Sequence, residues 1–145
     1  GVYEHRLLKP NSPLFRGFDD KFYVPHSRNY YADQESIYAH NSLEVLSASD
    51  AAGIFALKSN DNRRFFLTGH AEYDGDTLKN EYIRDLEKGI NPAIPENYFP
   101  ENDPSKPPVV RWKAHAQLLF SNWLNYYVYQ TTPYDLDELT EGYTV

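Results

Sequence analysis

The chain has 145 residues, 41% of them hydrophobic and 16% aromatic, which is enough apolar material for one domain with its own core or for part of a larger one. Its net charge of -7 supplies no global field toward nucleic acid or anionic lipid, and no apolar run approaches the roughly 20 residues that span a bilayer. The first residues lack the apolar run of a signal peptide, so nucleic acid and membrane are not expected as partners and the cytoplasm is the expected compartment. Cysteine is absent, which excludes disulfides, thiolate metal ligands and a thiol nucleophile within these residues. A mean hydropathy of -0.69 and ten prolines predict long surface loops.

The opening "GVYEHRLLKP" begins on Gly1 and reads as the interior of a longer polypeptide, with a glycine left by tag removal as the plainer alternative. "GFDDKFYVPHSR" offers a glycine and two aspartates as turn chemistry, then Phe22, Tyr23 and Val24 as a short strand stopped at Pro25, which leaves His26, Ser27 and Arg28 at a strand end. "SLEVLSAS" (42–49), "AGIFALKS" (52–59) and "RRFFLTG" (63–69) are three strands joined by short gaps rich in Asp, Gly and Asn, so a meander or sheet edge is predicted. From Asp74 the period changes: Leu78, Tyr82 and Leu86 recur every four residues, Asp74 or Asp76 can cap the start, and Gly89 suits the end, giving a helix over about 75–88. Residues 91–108 hold six of the ten prolines and can be neither helix nor central strand. A long helix with a broad aromatic face is predicted over about 109–130, broken at "TTPYDL". The whole of 1–145 reads as one unit, strand-rich over 1–73, with no internal repeat.

Three constellations carry chemistry. His70 and Glu72 lie two apart; on extended backbone they project to one side, so Glu72 can accept the Nδ1 proton of His70 and leave Nε2 as a base. The plain alternative is a polar residue at a strand end with a solvated carboxylate. Ser27 is flanked by His26 and Arg28 and is a candidate nucleophile or substrate ligand, although no G-x-S-x-G elbow surrounds it and a turn serine accounts for it as well. A metal site drawn from His26, His70, Glu72 and His115 lacks the H-E-x-x-H spacing, so no metal is expected. Arg84 lies on the predicted helix, where it can bind a ligand or pair with Glu81 or Glu87 on a solvated face.

The blocks "GVYEH", "RGFDD-x-F-x-x-PHSR", "TGH-x-EYD", "NYFP-x-NDP" and "LLF-x-NWLNYYVYQ-x-TPYDL" closely resemble the homoserine O-acyltransferases of methionine biosynthesis, both succinyl- and acetyltransferases, over essentially the whole chain. The resemblance is to the C-terminal half of that family. It implies an α/β fold similar to class I glutamine amidotransferases, a flavodoxin-like sandwich of which this chain is the later part. It also implies ping-pong acyl transfer from acyl-CoA to L-homoserine through a cysteine in a missing N-terminal half. On that resemblance His70 and Glu72 are catalytic, and Ser27 and Arg84 contact substrate. No bound cofactor is implied, acyl-CoA is a co-substrate, and a homodimer is compatible. This chain alone is then expected to be inactive for want of the cysteine. The choice between acetyl and succinyl stays open. A non-catalytic interaction or regulatory fragment is the alternative, and a serine hydrolase built on Ser27, His70 and Glu72 is a further one.

Overall fold

The computed structural model describes residues 1–132. Five strands form one antiparallel sheet: β1 (Val2–Leu7), β2 (Lys21–Pro25), β3 (Leu43–Ser49), β4 (Gly53–Ser59) and β5 (Phe65–Leu67), in the order β2-β1-β3-β4-β5. The helices are α1 (Gln34–Ala39), α2 (Thr77–Glu87) and α3 (Lys113–Trp123), and α3 continues into a π-helical turn at Leu124–Val128. The fold is thus mixed α/β. Among the described residues no helix is long and apolar enough to cross a membrane.

The sheet curls into a half-barrel. β3 carries register shifts around Val45–Ala48, and β1 meets β3 only at Arg6↔Ala48 and Leu7↔Ser47, so the strands fan and twist there. As a result the two outer strands approach each other at one end: the amide of His70, just past β5, donates to the carbonyl of Pro25 at the end of β2, at 2.7 Å. Gly69 makes this closure sterically possible. A Cβ there would lie 2.7 Å from Val24 Cγ1 and 2.8 Å from His26 Nε2.

Leu14, Phe15, Phe22, Val24, Leu46 and Phe55 fill the concave side, which α3 covers with Ala116 and Leu119. A second cluster joins Val2, Leu78, Tyr98, Phe99 and Trp112, and so fastens the proline-rich segment to α2 and β1. That segment is ordered around buried Tyr98 and Phe99 and contains one 3-10 turn, Pro100–Asn102.

The strands over 22–24, 42–49 and 52–59 stand where the residue pattern places them, while the last of the meander shortens to Phe65–Leu67. The helix over 75–88 narrows to Thr77–Glu87. Asp76 sits at its N-cap without a side-chain cap bond, and the Tyr98 hydroxyl instead accepts from Lys79 N at 3.2 Å and donates to the Gly75 carbonyl. At the other end Gly89, at φ +71°, donates to Leu86 O at 2.9 Å, and Ile90 donates to Asp85 O at 3.0 Å, a Schellman closure that a left-handed glycine permits. The helix over 109–130 starts later than its pattern, at Lys113; residues 109–112 continue the proline-rich segment, with Val109 N donating to Tyr98 O at 3.0 Å. Its break at "TTPYDL" falls mostly outside the described residues.

Candidate active site

The turn after β5 builds the site. The Tyr73 amide donates to the His70 carbonyl at 3.2 Å, so residues 70–73 form a turn and not the extended stretch that the i, i+2 argument assumes. The pair forms nonetheless: His70 Nδ1 lies 2.8 Å from Glu72 Oε1. With the carboxylate accepting at Nδ1, the proton belongs there and Nε2 is left with a free lone pair. The imidazole is half-buried and Glu72 faces solvent. Turning the chain at this point also folds Tyr73 back onto His70, with ring centroids 4.3 Å apart and planes within 16°. Tyr73 is held in turn by Trp112, whose Nε1 donates to the Tyr73 carbonyl at 2.8 Å. The imidazole is therefore clamped between a carboxylate and an aromatic face.

The Tyr73 hydroxyl donates to Glu81 Oε1 on α2 at 3.0 Å. Burial, followed by that carboxylate, pushes the phenol up to about 12, while the nearby Ser27 hydroxyl pulls it the other way. Ser27 is exposed, past the end of β2. Its two basic neighbours in sequence are turned away from it. His26 is buried, with Nε2 at 3.1 Å from Nε2 of buried His5, and Arg28 donates to the carbonyls of Thr68, at 3.2 Å, and Ala52. Ser27 thus stands beside Tyr73, and no hydrogen bond joins it to His70 among the described residues.

Arg84 is exposed and uses only Nε locally, on Asp85 Oδ1 at 2.8 Å, so neither Glu81 nor Glu87 is its partner. Its two terminal nitrogens are uncommitted among the described residues. His115 lies elsewhere, its Nε2 at 3.1 Å from Asp19 and its ring against Phe18 and Phe22. Among the described residues no three His, Cys, Asp or Glu side chains converge as a metal cluster.

Of the residues that the pattern singles out, the structure brings His70 and Glu72 into contact and sets Ser27 beside Tyr73, which stacks on the His70 ring. It puts Arg84 one helical turn past Glu81. Sequence reasoning missed Tyr73, Glu81 and the His5–His26 pair. Tyr73 had a local signal, being three residues beyond His70 in a stretch that holds two more aspartates and a glycine. The histidine pair had none, because it joins neighbouring strands.

The comparisons with known proteins agree among themselves. A family model described as homoserine O-succinyltransferase matches residues 1–134. A homoserine O-acetyltransferase of Acetivibrio thermocellus is 56% identical over 139 residues, covering 96% of this chain and 46% of the relative. A homoserine O-succinyltransferase of Vibrio vulnificus is 55% identical over 143 residues, covering 97% of this chain and 45% of the relative. A homoserine O-acetyltransferase of Clostridium acetobutylicum is 56% identical over 136 residues, covering 94% and 45%. The chain spans about half the length of the curated relatives it matches. Relatives named for acetyl and for succinyl transfer are equally similar, so overall identity does not separate the two. The chain belongs to the homoserine O-succinyltransferase family.

Proposed function

We propose that this chain supplies the base and the acceptor-binding side of a homoserine O-acyltransferase of methionine biosynthesis. The observation that carries the reading is the His70–Glu72 pair at 2.8 Å, within a family and among relatives whose names state that chemistry. The nucleophile is a cysteine supplied by polypeptide outside these residues, since the chain has none. His70 Nε2 takes the thiol proton, and the thiolate attacks the carbonyl of acyl-CoA; coenzyme A leaves as the thiolate and recovers the proton from His70. L-homoserine then enters, His70 takes its hydroxyl proton, and the oxygen attacks the thioester to release the O-acyl product and the cysteine. Glu72 holds the tautomer and stabilises each transient imidazolium. Ser27 and Arg84 bind substrate, with the two free nitrogens of Arg84 suited to a carboxylate.

The same reading assigns residues 1–145 to the later portion of one acyltransferase domain of class I glutamine amidotransferase-like, flavodoxin-like form, in a cytoplasmic enzyme. The serine-hydrolase reading has less support, because Ser27 neighbours Tyr73 while its flanking His26 is spent on His5.

The test is a two-stage assay of the intact enzyme: acyl-enzyme formation followed by mass, then its discharge by homoserine. His70→Ala is expected to abolish both stages. Glu72→Gln is expected to keep the fold and to cut turnover about 10²- to 10⁴-fold. Arg84→Lys is expected to leave acylation nearly normal and to weaken homoserine dependence, since an ammonium cannot reproduce a paired guanidinium contact. Turnover unaffected by Glu72→Gln overturns the assignment of Glu72, and an acyl-enzyme that homoserine cannot discharge overturns the reaction.

A further inference from the structure

A histidine aims its free nitrogen only if the plane of its ring is fixed, and χ2 of histidine is a broad torsion that covalent geometry does not fix. Two contacts hold the His70 ring, and they restrain different motions. The hydrogen bond between Nδ1 and Glu72 Oε1, at 2.8 Å, fixes one atom of the ring. It leaves the ring free to tilt about that atom, and the Glu72 side chain, 57% exposed, is a loose anchor. The Tyr73 face removes the tilt. Its ring lies 4.3 Å from the imidazole centroid with the planes within 16°, so any turn of the imidazole out of its plane runs into the phenol or gives up the stack. The main chain below is pinned as well, the His70 amide donating to the Pro25 carbonyl at 2.7 Å.

Tyr73 can serve as a fixed surface because it is tied at three points. Its amide donates to the His70 carbonyl at 3.2 Å, its carbonyl accepts from Nε1 of buried Trp112 at 2.8 Å, and its hydroxyl donates to Glu81 Oε1 at 3.0 Å. Its ring also packs against the cluster of Val2, Leu78, Tyr98, Phe99 and Trp112. A phenol that shares its proton with a carboxylate has an electron-rich ring, and the face of such a ring favours a cation laid over it.

We infer that Tyr73 is the positioning residue of the proton transfers: its face sets the plane in which His70 Nε2 meets the reacting proton and stabilises the imidazolium while it exists. The inference rests on the acyl-transfer reading for what His70 does and adds the group that aims it. Nε2 takes the proton of the thiol, the positive charge spreads over a ring lying flat on Tyr73, and the proton then passes to the departing coenzyme A thiolate, leaving the imidazole neutral. The hydroxyl proton of the acceptor follows the same course, ending on the cysteine thiolate.

The experiment separates face from hydroxyl in the intact enzyme by timing acyl-enzyme formation with rapid-quench mass spectrometry, before any homoserine is added. Tyr73→Leu keeps apolar bulk and removes the face, and it is expected to slow acylation about five- to thirtyfold, the range of a cation over an aromatic ring. Tyr73→Phe keeps the face and removes the hydroxyl, and its acylation is expected to stay within about threefold of the unaltered rate. The second readout needs no turnover: carbon relaxation at His70 Cε1 is expected to report a rigid ring in the unaltered and Tyr73→Phe enzymes and a mobile one in Tyr73→Leu. A Tyr73→Leu enzyme that acylates at the unaltered rate or keeps a rigid His70 ring overturns the inference. So does a Tyr73→Phe enzyme as slow or as mobile as Tyr73→Leu. An unaltered enzyme that forms no acyl-enzyme, while ring rigidity follows the face as expected, keeps Tyr73 as the residue that orients His70 and overturns the reaction assigned above.

Discussion

Beneath the candidate base lies a pair of histidines whose protons can be assigned from geometry. The Tyr3 carbonyl, 2.9 Å from His5 Nδ1, can only accept, so Nδ1 carries the hydrogen and His5 Nε2 is bare. His26 Nε2 must then donate across the 3.1 Å gap, which leaves His26 Nδ1 buried without a partner among the described residues. Both rings are neutral in the fold. Burial foremost, with the Arg28 charge acting in the same direction, draws His5 down to about 4, and burial followed by the His5 and Arg28 charges draws His26 to about 3. In the unfolded chain each returns to about 6.5. Below that pH the unfolded chain binds protons that the folded chain refuses, so this contribution to stability is complete above pH 6.5 and is lost as pH falls toward 4. The window from pH 6 to 5 lies inside this range. Urea melts across that window are expected to show a midpoint that falls steadily, with a slope approaching two protons. A midpoint constant from pH 6 to 5 contradicts the neutral pair. His26 reads in the sequence as a basic neighbour of Ser27, and only the folded sheet, where its ring stacks on that of His5 at a centroid distance of 5.1 Å, reveals its real partner. The His70–Glu72 contact was legible from spacing, although the turn that makes it differs from the extended backbone that the spacing argument assumed.

At the level of elements, α2 carries Arg84, the candidate for carboxylate binding, and its start is held from outside. Its amphipathic stripe is buried only at Leu78, while Leu86 is 44% exposed, so packing along its length does little to fix it. The Tyr98 hydroxyl, from the proline-rich segment, takes the place of a side-chain cap by bridging Lys79 N and Gly75 O. Tyr98→Phe keeps the ring between Phe99 and Trp112 but strands an amide and a carbonyl, which costs about 1–3 kcal/mol. The expected outcome is a lower urea midpoint together with faster amide exchange at residues 77–80, in excess of any change in β3 and β4. Exchange that rises equally everywhere would mean that the hydroxyl supports the whole fold and not the helix start. α2 was legible because Leu78, Tyr82 and Leu86 recur every four residues, and β3 and β4 because each is a short apolar run between turn residues, buried without a break over 45–49 and 54–57. β1 escaped because one of its buried positions is His5, and α1 escaped because its six residues bury none of their side chains. The cap supplied by Tyr98 joins residues 19 apart, a relation that no local pattern encodes.

For the molecule as a whole, the curl of the sheet gathers the candidate site at one end and exposes apolar surface along the other margin. The ends of β2 and β5 meet at Gly69, and this closure puts His70 and Ser27 on the same rim. Along its length β5 pairs with β4 alone, so its outer edge is unpaired among the described residues. Phe66 is 45% exposed and Leu67 37% exposed on this strand. Both line a groove of about 530 Å³ whose other walls include Leu119, Phe120 and Trp123. An open strand edge beside an apolar groove is a template for pairing with another chain. Arg63 and Arg64 flank the strand but lie before its exposed residues, so they protect the edge poorly. The 145-residue polypeptide is therefore expected to self-associate, its light-scattering mass rising with concentration in the micromolar range. Phe66→Lys puts a charge on a half-exposed edge position without entering the packed interior, where Phe65 contacts Tyr127 at a centroid distance of 4.5 Å. That variant is expected to hold the monomer mass over the same concentrations with a melting temperature within a few degrees of the unaltered chain, surface substitutions of this kind costing about 0.5 kcal/mol or less. A chain that stays monomeric at high concentration, or a Phe66→Lys chain that associates as strongly as before, shows that the β5 edge is not the adhesive surface.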